Sequence, residues 1–328
     1  MTVYTYIRRT PDLAVEDKLN FGKFQLRVFP RQEAIHLQGN LARRNVFARH
    51  AKNTDVYAKR AAEFAEQSVL YRIGPDAATS AESIRQEATC VESLILVSRC
   101  FAERRETFHR SICASVNTHA RADLWVAFSA QQVSRNTSPS AADKPVKITK
   151  TDASRFVKLG FGTLVTSLPG NNMFLWDRAC RVVDWLLLSR LDPNPGSAFI
   201  KTGTSAESLV AGHEQGQVTK RLSVRLALLT ARSVAEFDKI RTLAAELYGL
   251  RCDFTHGRTR GGVSDAEKKK LEAFDRLTTL GLSSLAANGS HLATPQDVDL
   301  WFKSMGRTPS VVHPFPSHYV EDLLKLVR

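Results

Sequence analysis

Cysteine is scarce in this chain and shows no pattern: five residues in 328, an odd number, with no Cys-x-x-Cys pair. That argues against a disulfide framework and a cysteine-built zinc site, and suggests reduced thiols in a cytoplasmic protein. Long apolar runs are also missing. No stretch approaches the roughly 18 residues of a membrane span, and Met1 to Thr10 carries Arg8 and Arg9 with no apolar block after them, so neither a span nor a secretory leader is expected. Gly160-Phe161-Gly162 and Gly170 do not make a phosphate loop, because no Gly-x-x-x-x-Gly-Lys-Ser/Thr follows a strand. A serine nucleophile elbow and paired metal-binding histidines are missing too. Acidic residues are outnumbered, 33 against 46 Lys and Arg, leaving a formal charge of +13.

That excess makes a polyanion a plausible partner, because phosphate neutralisation drives much of nucleic-acid binding. It is evenly spread. Residues 1 to 154 carry 23 basic and 16 acidic side chains and residues 155 to 328 carry 23 and 17, so there is no basic tail, and a merely solvated basic surface fits equally well. An apolar content of 43% over this length supports two domains with sizeable cores.

The first half alternates between patterns. Phe24, Leu26 and Val28 interleave with polar residues as in a half-buried strand, which Val3 to Ile7 is expected to join. Asp55 to Tyr71 and Ser80 to Cys100 have helical spacing, Leu124, Val126 and Phe128 suggest a further strand, and Thr107 to Val116 is ambiguous. Residues 134 to 153 are polar and proline-broken. We take them as a linker that ends an N-terminal α+β domain of residues 1–153, the alternative being a long loop within one domain.

Residues 154–328 carry helical signals almost throughout, so the fold class is mainly α. Phe174 to Leu191 is apolar enough for the centre of a bundle. Ser205 to Ala211 and Lys220 to Ala231 form two more helices, parted by the flexible Gly212 and Gly216. Ser264 and Glu267 make a capping box, Thr294 is an N-cap before Pro295, and a last helix starts at Ser317. About six helices with short connections imply a helical bundle.

One of these helices carries chemistry at its end. Ser233 and Glu236 mark its start as a capping box, and Phe237, Ile240, Leu243, Leu247, Leu250 and Phe254 recur at the spacing of one apolar face. At about 100° per residue, Arg251 lies about 60° from Phe254 and His256 about 200° from it, so the stripe borders the arginine and excludes the histidine. Gly257 supplies the left-handed residue that closes a helix, which places His256 beside the last carbonyls and the negative end of the dipole. Arg-x(4 to 6)-His spacing alone is no signal, since it recurs at Arg31/His36, Arg44/His50, Arg104/His109 and Arg307/His313. The context sets Arg251/His256 apart.

That context resembles the Apea-like branch of the HEPN superfamily, in which a helix ends in Leu-Tyr-x-x-Arg-Ser-x-apolar-apolar-His-Gly. Leu247, Tyr248, Arg251, Phe254, His256 and Gly257 match it. Upstream, Thr204 to Leu209 is similar to the family's Ala-Leu-Glu-x-Leu helix and Leu222 to Ala227 to its Arg-Leu-Ala helix, so the resemblance spans roughly residues 170 to 290. Cys252 stands where catalytic members often carry a polar residue. The resemblance implies a HEPN-like helical bundle and a metal-independent, cofactor-free endoribonuclease, a hydrolase of antiviral defence or a toxin–antitoxin system, in which a homodimer forms a composite active site on RNA. Under it, the N-terminal domain senses or restrains, alone or through a regulatory partner protein.

The chemistry assigns roles. A ribose 2′-OH attacking phosphorus needs a proton shuttle and a cation for the developing charge, which suit His256 and Arg251 respectively, with Asp253 as an orienting partner. Arg258 and Arg260 are candidates to draw in an RNA backbone, and Tyr248 either stacks on a base or serves as a packing and hydrogen-bond anchor. The alternative is a non-catalytic dimerisation module binding RNA or a partner protein. There His256 only caps its helix, and Arg251 pairs with a supporting Glu207 or with Asp253.

Overall fold

The structure is a computed structural model that describes residues 3–9, 13–33, 68–75, 81–102, 125–128, 133–136, 146–167, 171–258 and 263–327. It is mostly helical with a smaller β region, and the chain divides into two compact units. One comprises Met1–Val91 and Arg110–Ala153, the other Glu92–His109 and Ser154–Arg328.

In the first unit, strands β1 (Val3–Arg9), β2 (Leu13–Val15), β3 (Leu19–Phe21), β4 (Phe24–Val28) and β5 (Ser68–Pro75) precede helix α1 (Ala81–Cys100), which the unit boundary crosses after Val91. Strands β6 (Trp125–Phe128), β7 (Val133–Asn136) and β8 (Val146–Ile148) follow it. Six of the strands form one antiparallel sheet in the order β3-β4-β5-β1-β6-β7, and β2 pairs in parallel with β8. Three expectations need correcting. β1 does not pair with β4, because β5 lies between them, with Arg8 opposite Leu70 and Leu70 opposite Leu26. Ser68 to Tyr71, assigned to a helix from Asp55, belong to that intervening strand, where Val69 and Leu70 are fully buried. Asp55 to Gln67 and Thr107 to Val116 lie outside the described residues. The stretch assigned to a linker contains β8, whose Val146 and Ile148 are buried while Lys147 points outward to Glu16, the period-two pattern of a strand.

In the second unit, α2 (Lys150–Lys158), which the unit boundary crosses, and α3 (Phe161–Ser167) lead into α4 (Met173–Arg190), α5 (Pro195–Val210), α6 (Val218–Thr230) and α7 (Val234–Thr255). α8 (Asp265–Asn288), α9 (Pro295–Met305) and α10 (His318–Leu326) complete it. The central element is α8. Ser264 starts it as a full capping box with Glu267, and from Leu271 to Ala286 every residue but Arg276 is buried, as expected of a helix packed on all sides. α3, α4, α5, α6, α7 and α10 all touch it. Thr294 caps α9 reciprocally with Asp297, and Pro295 follows at the first helical position. The described helices are more numerous than the six expected, and none of them is long and apolar enough to cross a membrane.

An ionic link lies at the centre of this unit. Arg190 of α4 meets Asp275 of α8 at 2.8 Å with both side chains at most 3% exposed, and the other carboxylate oxygen accepts the Thr202 hydroxyl of α5 at 2.6 Å. The Ser189 hydroxyl joins Thr202 at 2.7 Å, so three helices share one polar cluster. Removing one partner of such a pair strands a charge, whereas replacing both with apolar groups does not. Asp275→Ala is therefore expected to cost about 3–5 kcal/mol in urea unfolding. The double variant Asp275→Leu with Arg190→Met is expected to lose clearly less.

Candidate functional site

α7 carries the Arg/His pair, and its ends are defined by the side chains expected there. The Ser233 hydroxyl accepts the Glu236 N–H at 3.2 Å, but the Glu236 carboxylate reaches one residue further back than a capping box requires, to the N–H of Arg232 at 2.8 Å. At the other end His256 is the C-cap and Gly257 has φ +63°. The Gly257 N–H donates to the Phe254 carbonyl at 3.3 Å and the Arg258 N–H to the Asp253 carbonyl at 2.9 Å, the paired bonds of a Schellman ending. Of the expected apolar stripe, Phe237, Ile240, Leu243 and Leu247 are buried, while Leu250 and Phe254 are half-exposed.

The reason for that change is length. α6 has 13 residues and α7 has 22, joined by the three residues Ala231 to Ser233, so α7 outruns its neighbour by about 13 Å at 1.5 Å per residue. Its last turns lie instead against α5, running antiparallel. Phe254 stacks on Phe199 with ring centroids 5.2 Å apart and lies over Gly196, where an added Cβ would come within 2.9 Å of the ring. One step along, a Cβ on Gly203 would come within 2.5 Å of the Arg251 Cγ. One further turn along α5, Glu207 receives both partners from α7, the Arg251 guanidinium at 3.1 Å and the Tyr248 hydroxyl in a short hydrogen bond.

Sequence had assigned α5 only from Ser205. It begins ten residues earlier, with Asn194 accepting the Gly196 and Ser197 N–H groups and Pro195 at the first position. Glycine weakens a helix interior, yet here Gly196 and Gly203 make room for α7. Gly212, expected to be flexible, is held as well: the Asp299 carboxylate accepts the N–H groups of His213 and Glu214 at 2.7 and 2.9 Å, and a Cβ on Gly212 would overlap it.

The predicted site residues separate into two groups. Arg251, Tyr248 and Glu207 form a half-buried cluster, in which the Arg251 guanidinium lies 5.3 Å from the Tyr248 ring centroid and its Nη1 has no partner among the described residues. Tyr248 is only 4% exposed and its hydroxyl is committed to Glu207, which makes it an anchor and leaves no free ring face for a base. Burial, with the adjacent Glu207 carboxylate adding to it, pushes the Tyr248 phenol well above its ordinary value. The second group is exposed. His256 projects past the helix end, and its ring makes no hydrogen bond among the described residues. Asp253 faces Arg258 at 3.5 Å and forms no bond to His256 among the described residues. Arg260 lies outside the described residues.

Of the competing Arg/His pairs, Arg307/His313 has a histidine held inside the fold. His313 bridges the Ser284 hydroxyl and the Ala231 carbonyl, and burial lowers its pKa below the usual histidine range. Sequence reasoning did not find the Tyr248–Glu207 bond, because contacts between helices leave no spacing signal. Compared with protein-family models, with curated proteins and with solved structures, the chain shows no significant match.

Two expectations follow. Gly203→Ala must displace Arg251 and is expected to destabilise the protein by about 1–3 kcal/mol in urea unfolding. Gly249→Ala, on the same helix as Arg251 but with nothing within 4 Å of the new Cβ, is expected to be neutral or stabilising by up to about 1 kcal/mol. The raised Tyr248 pKa means that the folded state holds the phenolic proton more tightly than the unfolded chain. Its contribution is complete below pH ~10 and is lost as pH rises from there through the folded value. The stability gap between wild type and Tyr248→Phe should therefore be constant from pH 7 to 9 and shrink above 10.

Proposed function

We propose that the chain is a metal-independent endoribonuclease of the HEPN type, acting as a homodimer in antiviral defence or a toxin system. The observation that supports this reading best is the division of labour at the end of α7. One cation is held in place by a carboxylate, and one imidazole is left open to solvent a turn away. Arg251 has its stem packed against Gly203 and one edge on Glu207, so its remaining N–H groups are presented in a fixed direction, as binding a phosphate oxygen requires. His256 is free to take the 2′-OH proton or to deliver one to the departing 5′ oxygen. The ribose oxygen bonds to phosphorus as the P–O5′ bond breaks, leaving a 2′,3′-cyclic phosphate and a 5′-hydroxyl. Because Arg251 borders the α5 contact and His256 lies past the helix end, a second copy of the chain is the natural source of the groups that complete the site.

A second reading, a non-catalytic HEPN module that dimerises and binds RNA or a partner protein, draws on the Arg251–Glu207 ion pair. A guanidinium already neutralised by a carboxylate also suits a scaffold.

One assay separates them. Purified protein incubated with RNA in EDTA is expected to release fragments ending in 2′,3′-cyclic phosphate, and His256→Ala to slow that release by about 100-fold or more. Equal cleavage by both proteins would overturn the ribonuclease reading. Salt-sensitive binding without cleavage, unchanged in His256→Ala, would establish the scaffold.

A further inference from the structure

Away from the Arg/His cluster, the loop Glu214–Gln217, the first turns of α6 and the end of α9 enclose an open cleft of about 650 Å³. That is the size of a small-molecule site. Four cations line it, Lys220, Arg221, Arg225 and Lys303, against the single carboxylate of Glu214. Two of them are neutralised within the protein: Arg225 by Asp299 at 2.5 Å and Lys303 by Glu214 at 2.5 Å. Lys220 and Arg221 are not. Their side chains form no ion pair or hydrogen bond among the described residues, and they stand next to each other on the first turn of α6. That turn begins at Gln217, whose side chain makes no capping bond, so the leading N–H groups of α6 add donors beside the two cations. Deeper in, Val224 and Phe302 supply an apolar floor.

We propose that this cleft binds a small phosphate ester with an apolar body, of mononucleotide size. The phosphate would sit between Lys220, Arg221 and the start of α6, and the body over Val224 and Phe302. Its walls are set in advance. Asp299 fixes the backbone of His213 and Glu214, holds Arg225, and leaves Gly212 no room for a side chain, so the loop is ordered before any ligand arrives. A cleft of this volume with an apolar floor at its end fits a compact ligand better than an RNA strand, which needs a groove that follows its backbone. The site shares none of its residues with the Arg251/His256 cluster and does not depend on the reading of that cluster.

The test is calorimetric titration of the full chain with inorganic phosphate, AMP, ATP and a short single-stranded RNA. AMP or ATP is expected to bind at least tenfold more tightly than inorganic phosphate. That affinity is expected to fall at least tenfold in the double variant Lys220→Glu with Arg221→Glu, whose positions are solvent-exposed or half-exposed, and in Val224→Trp, which fills the floor. Three results would overturn the proposal: no nucleotide binding, nucleotide no tighter than phosphate, or affinity unchanged in the charge-reversal variant. Binding of RNA alone would overturn it as well.

Discussion

The close approach of α5 and α7, made possible by glycine at 196 and 203, is the constraint on which the candidate site depends. With a side chain at either position the helices would be pushed apart, and the Phe199–Phe254 stack and the Glu207–Arg251 pair would both be lost. The geometry of the site is thus a packing geometry first. Arg251 is directed by the backbone opposite it, and the carboxylate only completes the placement. Tyr248 reinforces this by occupying the Glu207 oxygen that the arginine does not fully satisfy.

Much of the helical unit was legible in the sequence because its signals are local. Capping residues at Ser264 and Thr294 acted as expected, and the stripe from Phe237 to Leu247 is buried. What could not be read was set by partners distant in the chain. The first half of α5 was hidden because Gly196 and Gly203 weaken a helix locally and are favourable only where a neighbour needs the space. β5 was hidden in part because Val69 and Leu70, buried in mid-sheet, sit in a short run whose spacing suits either element. Of the site, the sequence marked Arg251, His256 and Glu207 but not the bond from Tyr248 to Glu207. It expected Asp253 to face the histidine, whereas its carboxylate faces Arg258.

The basic character of the chain also takes on a different meaning. Three arginines of the helical unit are buried and serve structural purposes. Arg190 answers Asp275, while Arg178 and Arg225 donate to the carbonyls of Leu209, Val210 and the C-cap Ala211, acceptors at the end of α5 that have no partner within the helix. Burial lowers the Arg178 pKa to about 10, with the charges of Arg181 and Arg225 adding to the effect. Part of the +13 therefore serves to end one helix inside the protein, where water cannot reach its carbonyls. The cations available to a partner are fewer than the composition suggests.

The overhang of α7 beyond α6 has a consequence for how such a chain could diversify. Phe237, Ile240, Leu243 and Leu247 are tied to the common core, where a substitution endangers folding. Residues after Tyr248 are half-exposed or exposed and answer to α5 and to solvent. Foldability and surface chemistry are thus written on successive lengths of a single helix, and the outer length can be rewritten without reopening the inner one.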